Sequence, residues 1–293
     1  MNGARGEDGG VDLTDLGPLL PHPLTGQSFA SPVPAGTGWP EDPAQPTTPA
    51  AASAAQVRKA ARTSQSLAEV DARVSVCRAC PRLVDWRETV ARDKRRAWVG
   101  EPYWGRPVPS FGDSEPRVLV VGLAPAAHGG NRTGRMFTGD RSGDWIFAAL
   151  YRAGYAERPA SYAAGDGQRL VGARMVAPVH CAPPDNRPTP DERAACGPWL
   201  DRELQLATSV ESILVLGGIG WQSVHAAAVR VGWTVPRPRA KFGHGAQTVF
   251  TVPGQGGGSG RHVRVVGCYH VSQQNTFTGR LTEPMLDEVI GLL

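Results

Sequence analysis

The chain has 293 residues, 41% hydrophobic and 20% charged, enough for one sizeable core, and no run of about 18 apolar residues able to span a membrane. Its charge is uneven: residues 1–50 carry nine prolines, six acidic residues and one basic residue, Arg5, which leaves 30 basic against 21 acidic residues in the remainder. A basic body suits a nucleic-acid partner, and with no basic stretch leading into an apolar one to mark secretion, a cytoplasmic protein with reduced thiols is expected.

Residues 1–60 are rich in Pro, Gly, Ala, Ser and Thr without a sustained apolar period. That composition predicts a disordered leader ahead of one globular domain over residues 61–293. A short helix is predicted near Ala61–Val76, ending at the turn Cys77-Arg-Ala-Cys80-Pro81, and another from Arg82 to Asp93. Four β-rich runs follow: Arg117–Leu123, Arg174–Val179, Ser212–Leu216 and His262–Tyr269. Their near-continuous Val, Ile and Leu content fits strands buried on both faces. Helical patterns are interleaved with them: Asp144–Ala153, a helix opened by the capping box and proline of Thr189-Pro190-Asp191-Glu192, Trp221–Val231 and Glu283–Leu293. Thr248–Val252 is expected to pair with the last run as a hairpin with a floppy tip at Pro253–Gly260. The alternation predicts an α/β fold with a mainly parallel, doubly wound sheet and a binding crevice at the strands' carboxyl ends.

Polar residues gather where the first and last runs end. The first leads into Gly122-Leu-Ala-Pro-Ala-Ala-His-Gly, then Asn131-Arg-Thr-Gly-Arg and Phe137-Thr-Gly-Asp140. This glycine-bearing loop has neither the lysine of a Walker loop nor the spacing of a dinucleotide fingerprint. The last run leads into His270-Val-Ser-Gln-Gln-Asn275. Read alone, Asp140 is equally a helix N-cap, as is Asp144, and a strand-end histidine is commonly a hydrogen-bonded structural group. Cys77 and Cys80 form a close pair with Cys181 and Cys196 far downstream, unlike the repeated close pairs of a zinc ribbon. Four thiolates hold either zinc or an iron–sulfur cluster. Cys268, inside the last strand, is expected to be a small buried hydrophobe.

With Cys181-Ala-Pro-Pro-Asp-Asn186 added, these motifs occur in an order that resembles the uracil-DNA glycosylases, specifically the fifth family of that superfamily, from roughly Val74 to the C-terminus. The resemblance implies a three-layer α/β/α sandwich around a short sheet, a [4Fe–4S] cluster on Cys77, Cys80, Cys181 and Cys196, and hydrolysis of the glycosidic bond to a flipped-out base in DNA. It implies a catalytic set of Asp140, His270 and Asn275: the first near the sugar, the second near the departing base, and Asn275 positioning the loop or the nucleotide. For the substrate it implies Phe137 as a stacking wall, Ala124 and Asn186 near the base, and Arg132 and Arg280 on phosphates, with Arg135 and Arg141 beside them. Double-stranded DNA is the expected partner, single-stranded DNA a second form, and the protein a monomer. The first loop has no carboxylate where uracil-specific relatives carry one, and Leu216-Gly-Gly-Ile-Gly220 has no carboxamide to read the uracil edge. A wider range of deaminated or damaged bases is therefore expected. Thr276-Phe277-Thr278 is suited to fill the gap left by the base. On the residues alone, a hydrolase of a small nucleotide-like substrate and a non-catalytic iron–sulfur protein stay open as alternatives.

Overall fold

The computed structural model describes residues 17–254 and 260–293. In chain order it comprises β1 (Leu20–Pro21), β2 (Ser28–Phe29), α1 (Ala54–Thr63), α2 (Leu67–Ser75), α3 (Pro81–Asp93), β3 (Phe111–Gly112), β4 (Val118–Val121), α4 (Gly130–Thr133) and α5 (Arg141–Arg152). It continues with β5 (Ala173–Val176), α6 (Pro190–Leu206), β6 (Ser212–Leu216), α7 (Gly218–Arg230), β7 (Gln247–Val252), β8 (Arg261–Cys268), α8 (Gln273–Phe277) and α9 (Glu283–Ile290).

The four apolar runs become the parallel centre of a six-stranded sheet, in the order β3-β5-β4-β6-β8-β7, with β3 and β7 antiparallel at its edges. Strand alternation builds two cores from these runs. Val118, Val120, Leu214, Leu216, Val266 and Cys268 face one layer with Phe147 and Leu150 of α5 and Leu286 of α9. Leu119, Val121, Ile213, Val215 and Val265 face the other with Leu200 of α6 and Trp221 and Val224 of α7. The result is the expected α/β/α sandwich. Arg174 interrupts the apolar run of β5 and is buried; it pairs with Asp71 Oδ2 at 2.7 Å and Glu203 Oε2 at 3.0 Å, tying α2 and α6 to the sheet.

The first predicted helix is two helices, because Ser66 accepts the N–H of Glu69 at 3.2 Å and starts α2 afresh. The capping box of Thr189 and Glu192 opens α6 as expected. Within the expected hairpin tip, residues 255–259 lie outside the described residues, as do residues 1–16 of the expected leader.

The remainder of the leader is not disordered. Residues 17–60 form the β1–β2 hairpin, a strap with Phe29, Val33, Trp39 and Ala44 buried, and most of α1. Trp39 sits against His22 at 4.7 Å, Phe29 at 5.1 Å and Trp104 at 6.0 Å between ring centroids. Asp42 bonds Arg106 at 2.5 Å, and Glu41 bonds Nε of Arg135 at 3.1 Å. The contacts to Trp104, Arg106 and Arg135 each reach a residue more than sixty positions away, so no periodic pattern announces them. Among the described residues no helix is long and apolar enough to cross a membrane. Trp39→Ala is expected to lower the unfolding free energy by about 3–5 kcal/mol, as for large aromatic truncations in cores. Denaturant titration checks this; a disordered leader would give no change.

Candidate active site

The loops that follow β4 and β8 meet at the carboxyl end of the parallel strands. Asp140 is the N-cap of α5: its Oδ1 accepts the Gly143 N–H at 3.0 Å, and the Ser142 amide also points at the carboxylate. Oδ2 lies against Gly129, where an added Cβ would stand only 2.3 Å away, so the first loop needs glycine there. Burial raises the Asp140 pKa above the ordinary carboxylate range, and the two amides and Arg132 only partly oppose it. Asp144 lies in the first turn of α5 and is not the cap.

Phe137 has a φ of 50°, a backbone state that L-residues rarely adopt. The surroundings hold it there. Its carbonyl oxygen would be 1.9 Å from a Cβ on Gly143, and its ring edge 2.7 Å from one on Gly122. The ring faces His270, with centroids 6.4 Å apart and planes at 34°.

His270 follows β8 on a backbone fixed by Asn275, whose Nδ2 donates to the His270 carbonyl at 2.8 Å. Burial lowers the imidazole pKa to about 4, so the ring is neutral at neutral pH. Its Nδ1 is buried without a hydrogen-bond partner among the described residues. Such an orphan is costly unless a ligand satisfies it. The two loops thus meet with the Phe137 ring beside a neutral imidazole, and the Asp140 carboxylate stands three residues beyond Phe137.

Other expected contacts turn out differently. Arg132 is buried and committed: Nε donates to His128 O at 3.0 Å, Nη1 to Glu101 at 2.7 Å and Nη2 to Gly139 O at 2.9 Å. A guanidinium removed from water needs fixed acceptors, so Arg132 supports the loop and is not free for a phosphate. Arg135 is likewise buried, on Glu41, Ser161 and Asp166. Arg141 and Arg280 are exposed, over the rings of Phe277 at 5.2 Å and Tyr269 at 4.6 Å. Ala124 packs against the group of Leu83, Val179 and Cys181. Asn186 is exposed at a φ of 54° in a turn after Cys181, with no side-chain bond to Phe137, Asp140 or His270. Glu41 and Glu101, whose partners are 94 and 31 residues away, carry no local sequence signal of these roles, whereas the Gly129-Gly130 pair is a visible sign of close approach.

Cys77, Cys80, Cys181 and Cys196 line one cavity of about 20 Å³ with Leu83, Val179, His180 and Trp199. Burial pushes the Cys80 thiol up to about 11 and Cys181 to about 12. Among the described residues no three His, Cys, Asp or Glu side chains stand around a single metal ion. Sulfurs holding one zinc at roughly 2.3 Å would be nearly in contact, whereas the ligands of a four-iron cluster each take a different iron and stand farther apart. Trp199 Nε1 and Arg87 Nε, both buried near the thiols, have no hydrogen-bond acceptor among the described residues. Sulfur acceptors at the cavity would meet that need. Four thiols gathered at one cavity are a soft donor set of the kind that takes zinc or an iron–sulfur cluster.

Residues 109–293 match the family model of the uracil DNA glycosylase superfamily. Over 269 residues, 92% of this chain and 96% of the relative, the chain is 55% identical to the type-5 uracil-DNA glycosylase of Mycobacterium tuberculosis, and equally to that of Mycobacterium bovis. The type-5 uracil-DNA glycosylase of Thermus thermophilus is 47% identical over 217 residues, 74% of this chain and 92% of that protein. The crevice at the sheet's carboxyl end, the sandwich that carries it and this likeness agree, and the chain belongs to the uracil-DNA glycosylase superfamily, on its type-5 branch.

Proposed function

We propose that the protein hydrolyses the N-glycosidic bond of uracil, and of other deaminated or damaged bases, in DNA, leaving an abasic site in base excision repair. The observation that carries this reading is the meeting of the two loops, where the Phe137 ring, three residues before the Asp140 carboxylate, lies beside the neutral imidazole of His270. A base inside a duplex hides its glycosidic bond, so it has to be flipped into the crevice, where Phe137 offers a face to stack on. As the bond breaks, positive charge grows on the sugar and negative charge on the base. Asp140 favours the first and orients water, whose hydroxide adds to the sugar carbon while its proton passes to the carboxylate. His270 favours the second as a hydrogen-bond donor to the base oxygen, and the base leaves as an anion that then takes a proton. Asn275 keeps the His270 backbone in place for that bond.

Cys77, Cys80, Cys181 and Cys196 are proposed to hold a [4Fe–4S] cluster. When bound, it supplies a covalent tie between the start of α3, the loop after β5 and α6, and no step of hydrolysis. DNA is the proposed partner, with the protein acting as a monomer in the cytoplasm.

Asp140→Asn should lower single-turnover uracil excision by orders of magnitude while leaving the melting temperature unchanged, because Asn caps a helix as well as Asp. Asp140→Ala should in addition cost about 1 kcal/mol of stability, and Asp144→Asn should keep most activity. If Asp140→Asn stays active, the carboxylate has no catalytic role.

His270→Ala should raise the barrier by roughly 3–4 kcal/mol, as for lost oxyanion donors, and less for bases that leave readily as anions. The pH profile of the single-turnover rate should show no inflection near 6.5, since His270 is neutral down to about 4. Its acid limb should fall as pH drops through the raised Asp140 pKa, above the ordinary carboxylate range, and vanish in the residual rate of Asp140→Asn.

Protein prepared without oxygen should contain iron and sulfide, and Cys→Ser at any of the four positions should lower both. Stoichiometric zinc without iron in metal analysis would overturn the cluster.

A further inference from the structure

We propose that the segment Arg237–Lys241 is a phosphate-binding arm for duplex DNA beside the flipped base, and that it supplies the preference for double-stranded over single-stranded substrate. This rests on the glycosylase reading above. Between Ser212 and Thr282, 71 residues contain seven Lys and Arg and no Asp or Glu. Three of the seven have partners: Arg230 pairs with Asp201, and Arg261 and Arg264 donate to the carbonyls of Val210 and Leu292. Arg237, Arg239, Lys241 and Arg280 are exposed, and none forms an ion pair among the described residues.

The fold puts this charge at the crevice. The loop enters β7 at Gln247, which pairs with Val266 near the carboxyl end of β8. Gly245 donates to Gly267 O and Gly267 donates to Ala246 O, both at 2.8 Å. Trp221 Nε1 donates to Ala240 O at 3.0 Å, and Phe242 packs on Tyr269, the neighbour of His270, at 6.4 Å between centroids. Arg280 lies over that same tyrosine at 4.6 Å. Free cations therefore run outward along the rim from the catalytic histidine, on a backbone bracketed by Pro236 and Pro238.

A solvated surface ordinarily mixes both signs; an acid-free rim concentrates repulsion that a polyanion offsets. The arm lies beyond the pocket for the extruded nucleotide, so it meets flanking phosphates. A duplex presents one charge per about 1.7 Å of axis, twice the density of either strand alone. The arm thus gains more from duplex than from a single strand.

The test is the triple variant R237A/R239A/K241A in the full chain, chosen because these side chains make no bonds that folding needs. Affinity for a duplex with a tetrahydrofuran abasic analogue is measured between 50 and 200 mM salt. The slope of log affinity against log salt should shrink by about 2–3, while excision from saturating single-stranded uracil oligonucleotide is unchanged. R237K/R239K should keep the slope. An unchanged slope, or equal losses on duplex and single strand, overturns the arm and leaves the glycosylase reading standing. A wild-type protein that releases no uracil from either form sinks that reading itself.

Discussion

A carboxylate drawn partly out of water while amides still favour its charged form is the constraint that organises the loop around Asp140. Asp140 meets it by capping α5, where two amides and the positive end of the helix oppose the cost of burial. The remaining features of the loop follow from bringing that cap to the crevice. Gly129 lets the first loop lie against Oδ2, Gly143 lets the helix start beneath the Phe137 carbonyl, and Phe137 takes a positive φ to turn its ring outward. Arg132 and Arg135, on the same loop, are buried and saturated with acceptors. They hold the strained backbone that the cap demands.

The two reacting ends of the crevice are separated electrically by environment more than by residue type. Burial raises Asp140 and lowers His270, so both shifts disfavour charge. Only Asp140 has amides that resist the shift. The histidine Nδ1 has no partner among the described residues, and the ring stays neutral. A neutral donor suits a departing anion without also attracting the sugar cation's carboxylate. Different charge states thus arise in similarly desolvated surroundings by a difference in hydrogen bonding.

Much of this was legible in the sequence, and the physical reason is local. Buried parallel strands announce themselves as unbroken Val, Ile and Leu, and the Thr189–Glu192 capping box marks the start of α6 within the residues that form it. Asp140, Phe137, His270 and Asn275 were legible because a motif keeps each beside its strand end. What failed was whatever depends on a distant partner. Arg132 and Arg135 look like phosphate ligands in sequence, and only the folded positions of Glu101 and Glu41 show that they are taken. The strap over residues 17–50 was invisible for the same reason: Trp39 and Phe29 sit among prolines and glycines with no period, and their burial is decided by Trp104.

These long-range contacts clamp the catalytic loop from two sides. On the cysteine side, the Arg87 carbonyl in α3 accepts the Asn131 Nδ2 at 3.1 Å, its guanidinium bonds Gly105 O, and the Gly105 N–H reaches Asn131 O at 3.0 Å. Since α3 begins at Cys80, anything that fixes the four cysteines also fixes Asn131. On the opposite side the strap presents Glu41 to Arg135, four residues farther along, while Thr138 and Ser161 share a hydrogen bond at 2.8 Å. The stretch between Asn131 and Thr138 contains Phe137, whose positive φ is unfavourable for an aromatic residue. A strained residue persists only where its surroundings over-determine it. The strap and the helix after the cysteine pair therefore converge on the same backbone segment, the one that carries Phe137.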